Sequence, residues 1–136
     1  MMQRPANLFE TVRRIGVTLP NVEPAIRYDG APILKANGRF MAGLASHPSA
    51  EPQTLVVKIG IDDREALLEE APETYYVTDY YRPHPVVLVR LSRIDREALR
   101  DLLSMSWRAV RRGSEPSRAQ SREDGMSSNL PRSGRR

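Results

Sequence analysis

The run Val86-Val87-Leu88-Val89, preceded by Pro83 and Pro85 and followed by Arg90-Leu91, constrains this chain more than any other stretch. Apolar runs of this length flanked by prolines read as a buried or half-buried strand, which supplies the middle of a core. The residues leading into it, from Thr74 onward, hold four of the five tyrosines and one of the two histidines. Aromatic and basic residues just before a buried strand are natural candidates for a binding site.

The elements around that strand follow from periodicity and turn chemistry. Leu8, Val12, Ile15 and Leu19 recur at helical spacing and predict a helix over 5–19, with Asn7 and Glu10 placed as a capping box. Short strands are then expected at 25–28, 33–36, 39–45 and 54–59, punctuated by Asp29-Gly30, Asn37-Gly38 and the polar loop 46–53. Asn-Gly is the strongest of these signals, because both residues tolerate positive φ. Asp62 or Asp63 is placed to cap a second helix over 64–71, ended by Pro72. A short strand at 75–78, the central strand at 86–91 and a helix capped by Asp95 complete the domain. The predicted fold is α+β, an antiparallel sheet of about six strands with three helices mainly on one face, in the order α-β-β-β-β-α-β-β-α.

A chain of 136 residues is expected to form one domain, here over 1–112. Its net charge of +4 is confined to the end of the chain. Residues 1–110 carry 14 Lys and Arg against 14 Asp and Glu, whereas 111–136 carry seven Arg against three acids. The segment 113–136 is rich in Ser, Arg, Pro and Gly and is expected to be a disordered tail. The absence of cysteine excludes disulfides, iron–sulfur clusters, thiolate zinc sites and cysteine nucleophiles. No apolar run approaches the ~20 residues that span a bilayer, and the first residues lack the apolar core of a secretory signal, so a cytoplasmic location is expected. Glycine-rich phosphate loops, G-x-S-x-G and HExxH are missing. The expectation is a non-enzymatic protein with no cofactor and no metal site; His47 and His84 stand in separate loops, each before a proline.

The blocks Leu19-Pro20-Asn21-Val22-Glu23, Tyr28-Asp29-Gly30-Ala31-Pro32, Gly38-Arg39-Phe40 and Leu55-Val56-Val57-Lys58 together resemble the MmcQ/YjbR family of small bacterial proteins. The resemblance continues through Ala71 to Thr78, Tyr81, Pro85, Val87 to Leu91 and the Leu102, Leu103, Trp107 helix. It implies a compact α+β domain usually described as DNA-binding. Tyr80 and His84 depart from the family pattern, which has His-Tyr before this loop and an aromatic where His84 stands.

Strand alternation divides the expected sheet into two faces. One would carry Leu34, Phe40, Ala42, Leu44, Leu55, Val57, Ile59, Val87, Val89 and Leu91 toward the helices. The other would carry Ile33, Lys35, Arg39, Met41, Val56, Lys58, Val86, Leu88 and Arg90, with four cations and no acid. An open cationic face suits DNA phosphates, with Lys35, Arg39, Lys58 and Arg90 on the sheet and Tyr81 and Arg82 from the loop. Depletion of acids from strands is also ordinary, which makes the cations plain solvent-facing choices. A third reading takes Val56, Val86 and Leu88 as an exposed patch for a protein partner or for self-association.

Overall fold

The computed structural model describes residues 5–113. The segment expected to be a disordered tail lies, from residue 114 on, outside the described residues. Among the described residues the order is α1 (Pro5–Gly16), β1 (Val22–Ile26), β2 (Pro32–Ala36), β3 (Arg39–Leu44), β4 (Thr54–Lys58), α2 (Ile61–Glu70), β5 (Tyr75–Tyr76), β6 (Val86–Arg90) and α3 (Arg96–Gly113). The strands form one antiparallel sheet in the order β1-β2-β3-β4-β6-β5. The apolar strand β6 lies inside it, between β4 and the short edge strand β5. The α+β fold and its element order are as expected.

Local chemistry explains most boundaries. Asn37 and Gly38 close the β2–β3 hairpin with φ of 54° and 78°, as a two-residue turn of the type matched to strand twist requires. Asp95 Oδ1 accepts the backbone N–H of Ala98 at 2.8 Å and starts α3. Two expected caps are different. α1 begins at Pro5, so Asn7 lies within the helix. α2 begins at Ile61 after Gly60, with no side-chain cap, and Asp62 and Asp63 fall in its first turn. There they oppose the positive end of the helix dipole instead of capping it.

The main core lies between the sheet and the helices. Val12, Ile15, Leu99, Leu102 and Leu103 meet Leu34, Leu55, Val57, Val87 and Val89, and Leu67 and Leu68 of α2 pack at its margin. Trp107 Nε1 donates to the Pro20 carbonyl at 2.9 Å and ties α3 to the end of the α1–β1 connection.

One register shift changes the face assignment. Leu34 pairs with Ala42, but Lys35 pairs with Phe40, so Met41 is an extra residue in β3. Such a bulge resets which side chains point which way. Met41 and Ala42 both belong to the helix-side core, while Phe40 packs on the opposite side. Phe40 and Met41 thus stand on the faces opposite to those that simple alternation assigns. Arg39, paired with Ala36, shares the helix side with that core residue, because directly opposed residues point the same way. The Ser106 hydroxyl of α3 donates to the Met41 carbonyl at 3.2 Å, supplying a partner where the bulge interrupts the ladder.

Candidate nucleic-acid interface

The second face of the sheet is not open. Val56, Val86 and Leu88 form a second cluster, and Leu88 is 0% exposed. Phe40, Ala45, Ala50, Tyr76 and Tyr81 pack against it. Two segments, 45–53 between β3 and β4 and 77–85 between β5 and β6, supply Ala45, Ala50 and Tyr81 of this cover. The expectation of an exposed apolar patch at Val56, Val86 and Leu88 is therefore corrected: loop side chains already remove these residues from water.

Arg64 holds the second loop in place. It is 4% exposed, and its Nη1 donates to the carbonyls of Arg82 (3.2 Å), His84 (3.0 Å) and Val86 (3.2 Å). Its Nε reaches Glu65 Oε2 at 3.2 Å. The guanidinium serves the three carbonyls through Nη1 and Glu65 through Nε, two separate donor nitrogens that a lysine ammonium does not have. Nothing in the sequence marks Arg64 beyond its place near the start of α2. Only the return of β6 beneath that helix brings the three carbonyls to it.

The two loops are stitched together through polar groups. His47 Nδ1 accepts the Ser49 backbone N–H at 3.0 Å, which leaves the proton of a neutral ring on Nε2. Ser49 Oγ meets Thr78 Oγ1 at 2.9 Å. The Tyr76 hydroxyl accepts the Glu51 backbone N–H at 2.8 Å and shares a hydrogen bond with Thr54 Oγ1 at 2.6 Å.

On this scaffold the aromatic rings form a ledge. His47 and Tyr80 stack with centroids 3.5 Å apart and planes 12° from parallel. Tyr81 meets both edge-on, at 6.1 and 5.0 Å, and His84 lies 6.5 Å from Tyr80. Tyr80 is 52% exposed, whereas Tyr81 turns inward and its hydroxyl is pushed above its ordinary pKa chiefly by burial. Arg82 is exposed beside them. Sequence reading singled out Tyr81 and Arg82, with Tyr75, Tyr76 and Tyr80 as further residues that could stack on bases, but not His47. Residue 47 lies more than thirty positions from Tyr80, and no local pattern predicts that they stack.

The expected cationic surface is dispersed. Lys35 is half-buried on β2 beside Phe40. Lys58 pairs with Val86 at one end of the β4–β6 ladder, while Arg90 pairs with Thr54 at the other, roughly 13 Å away at the rise of an extended strand. Arg39 stands on the other side of the bulge. Arg90 is engaged throughout: Nε and Nη2 grip Glu51 at 2.9 Å each, Nη1 donates to the carbonyls of Pro72 and Glu73 at 3.2 Å, and the guanidinium lies 4.3 Å over the Tyr76 ring. It fastens loop 45–53 and the start of β5 to β6 rather than offering a charge to solvent. Among the described residues no three histidines or acids are grouped to hold a metal ion, and no described helix is long and apolar enough to cross a membrane.

The Arg90–Glu51 pair has a pH signature. The hydrogen bonds from Arg90 hold the Glu51 carboxyl below its ordinary pKa of 4.5. A carboxyl depressed in the folded state contributes stability that is complete above its unfolded pKa and fades as the pH falls through the folded value. Thermal unfolding of the parent chain and Glu51→Gln is expected to differ by a constant amount near neutrality, with the gap closing below about pH 4. A pH-independent gap would show that the carboxylate charge is not what matters.

A small α+β domain with a helix-covered sheet and an aromatic ledge on the other side is thus the class that the geometry defines. The YjbR family model matches residues 17–109, and the chain belongs to that family. The crystal structure of a Deinococcus radiodurans protein with a DUF419 domain shares the fold, with a TM-score of 0.63 and 22% identity, covering 96% of this chain and 94% of that one. Uncharacterized proteins of Mycobacterium tuberculosis and Mycobacterium bovis are 28% identical over 79 residues, 56% of this chain. The chain spans about 59% of the length of these curated relatives.

Proposed function

We propose that this chain is a small non-enzymatic domain that binds DNA weakly, with the aromatic ledge taking an unpaired base and Arg82, Lys58 and Lys35 attracting the phosphates. The observation that carries this reading is the stacked His47–Tyr80 pair, half exposed at Tyr80 and flanked by the exposed Arg82. A pre-stacked aromatic surface receives a base with little ordering cost, and any base offers it a π-face. Arg90 has no part in the contact, because its donors are taken by Glu51 and two carbonyls. The ladder geometry also favours the loops over the flat sheet as the contact surface, since loop side chains cover Val56, Val86 and Leu88.

Fluorescence polarisation with labelled single-stranded and duplex DNA at two salt concentrations tests the proposal. Single strands are expected to bind better than duplex, with affinity falling steeply as salt rises. Tyr80→Ala is expected to weaken binding by about tenfold, the loss of one stacked base. Arg82→Ala is expected to weaken it and flatten the salt dependence. Undetectable binding at low salt, or wild-type affinity in Tyr80→Ala, overturns the reading.

A further inference from the structure

On the helix side of the sheet, away from the aromatic ledge, a groove of about 470 Å³ opens between α2, the edge strand β5 and the beginning of α3. Its floor is hydrocarbon from Leu67, Ala71, Ile94, Leu102 and Met105. Glu70, Glu73, Asp95 and Asp101 line it as well, four carboxylates against the single guanidinium of Arg93. Among the described residues none of the four is held in an ion pair. Asp95 uses one oxygen to cap α3, and the others keep their lone pairs for solvent or a ligand.

A second observation inside the groove is independent of the acids. Tyr75 lines it and is only 7% exposed, yet no hydrogen bond reaches its hydroxyl from the described residues. A hydroxyl so largely buried takes its hydrogen bond from whatever fills the groove, water or a ligand. Burial, and after it the fields of Glu70, Asp95 and Asp101, raise the phenol above its ordinary pKa. Tyr75 and these three carboxylates line the same groove.

The charge distribution selects among cations. No three of the acids are grouped to hold a metal ion among the described residues. The negative charge is spread around an apolar floor, which matches a ligand whose positive charges are separated by hydrocarbon. We propose that this groove binds an aliphatic diamine or polyamine, one ammonium donating to the Tyr75 hydroxyl beside Glu70, Asp95 and Asp101, with the methylenes lying on Leu102 and Met105.

Calorimetric titration of the full chain with 1,4-diaminobutane tests this, with magnesium chloride at matched ionic strength and Nα-acetyl-lysine methylamide as comparisons. Saturable binding of the diamine at one site is expected. Tyr75→Phe, which keeps the ring and deletes the hydroxyl, is expected to weaken it by about tenfold. Glu70→Gln with Asp101→Asn, both at exposed positions, is expected to weaken it by about fivefold or more. The double variant keeps the test decisive if Tyr75→Phe lowers the folded population seen by circular dichroism. Absence of saturable heat, equal binding of magnesium, or an unchanged affinity in the double variant overturns the proposal. Tighter binding of the acetyl-lysine derivative also overturns it, by assigning the groove to a protein side chain.

Discussion

Replacing Arg64 by methionine is expected to destabilise the domain by about 3 kcal/mol, the scale for removing a buried charged donor and stranding its acceptors. Methionine fills much the same length but donates nothing. The carbonyls of Arg82, His84 and Val86 lose the Nη1 group that gathers them. Two of these carbonyls belong to the loop before β6, so the effect should spread beyond α2. Denaturant unfolding measures the loss. Amide exchange should show faster opening at 80–86 than at the β1–β2 ladder. A change below about 1 kcal/mol would mean that water replaces the guanidinium without cost. Because the same loop carries Tyr80, Arg64→Met is also expected to weaken the proposed DNA binding without touching a proposed contact residue.

Leu88→Ala separates the two accounts of the second sheet face. Leu88 is fully buried beneath Tyr76, Tyr81 and their neighbours, so truncation creates a cavity and should cost about 3 kcal/mol. An exposed interaction residue at the same place would change stability by no more than about 0.5 kcal/mol. Unfolding midpoints decide between these values, and a near-neutral result would reopen the face to a partner. The expected loss also carries a warning for interaction assays. Apolar-to-charged changes at Val56, Val86 or Leu88 would abolish association through unfolding, not through a lost contact.

The legible parts of this fold are those governed by neighbouring residues. Asn37-Gly38 announced its hairpin because the turn needs two positive φ values that these residues accept cheaply. Asp95 announced the start of α3, because capping is a contact over three residues. The Val86–Val89 run announced a strand in the middle of the core, and β6 lies inside the sheet between β4 and β5; that loops cover its second face as well was not legible in the run. The YjbR-like order of blocks carried the family, and the family model spans most of the domain.

The candidate site was less legible, and the reason lies in register and distance. A strand's side chains alternate with a period of two, so a single extra residue exchanges faces for everything beyond it. The bulge at Met41 does this to Phe40 and Arg39, and no residue type in Arg39–Leu44 demands a bulge. Arg90 reads as a solvent-facing cation until Glu51, thirty-nine positions away, is seen to grip it. His47 and Tyr80 become one surface only when two loops fold over the same sheet face. The groove around Tyr75 likewise draws acids from α2, the β5 approach and α3.

Residue chemistry alone thus determined the element order, the turns, the apolar central strand and the α+β class, since each follows from interactions within a few positions. Tertiary structure alone decided which side of the sheet is covered twice, which arginines are spent on carbonyls and carboxylates, and which aromatics meet. These depend on long-range pairing, where one shifted register or one returning loop outweighs any local preference.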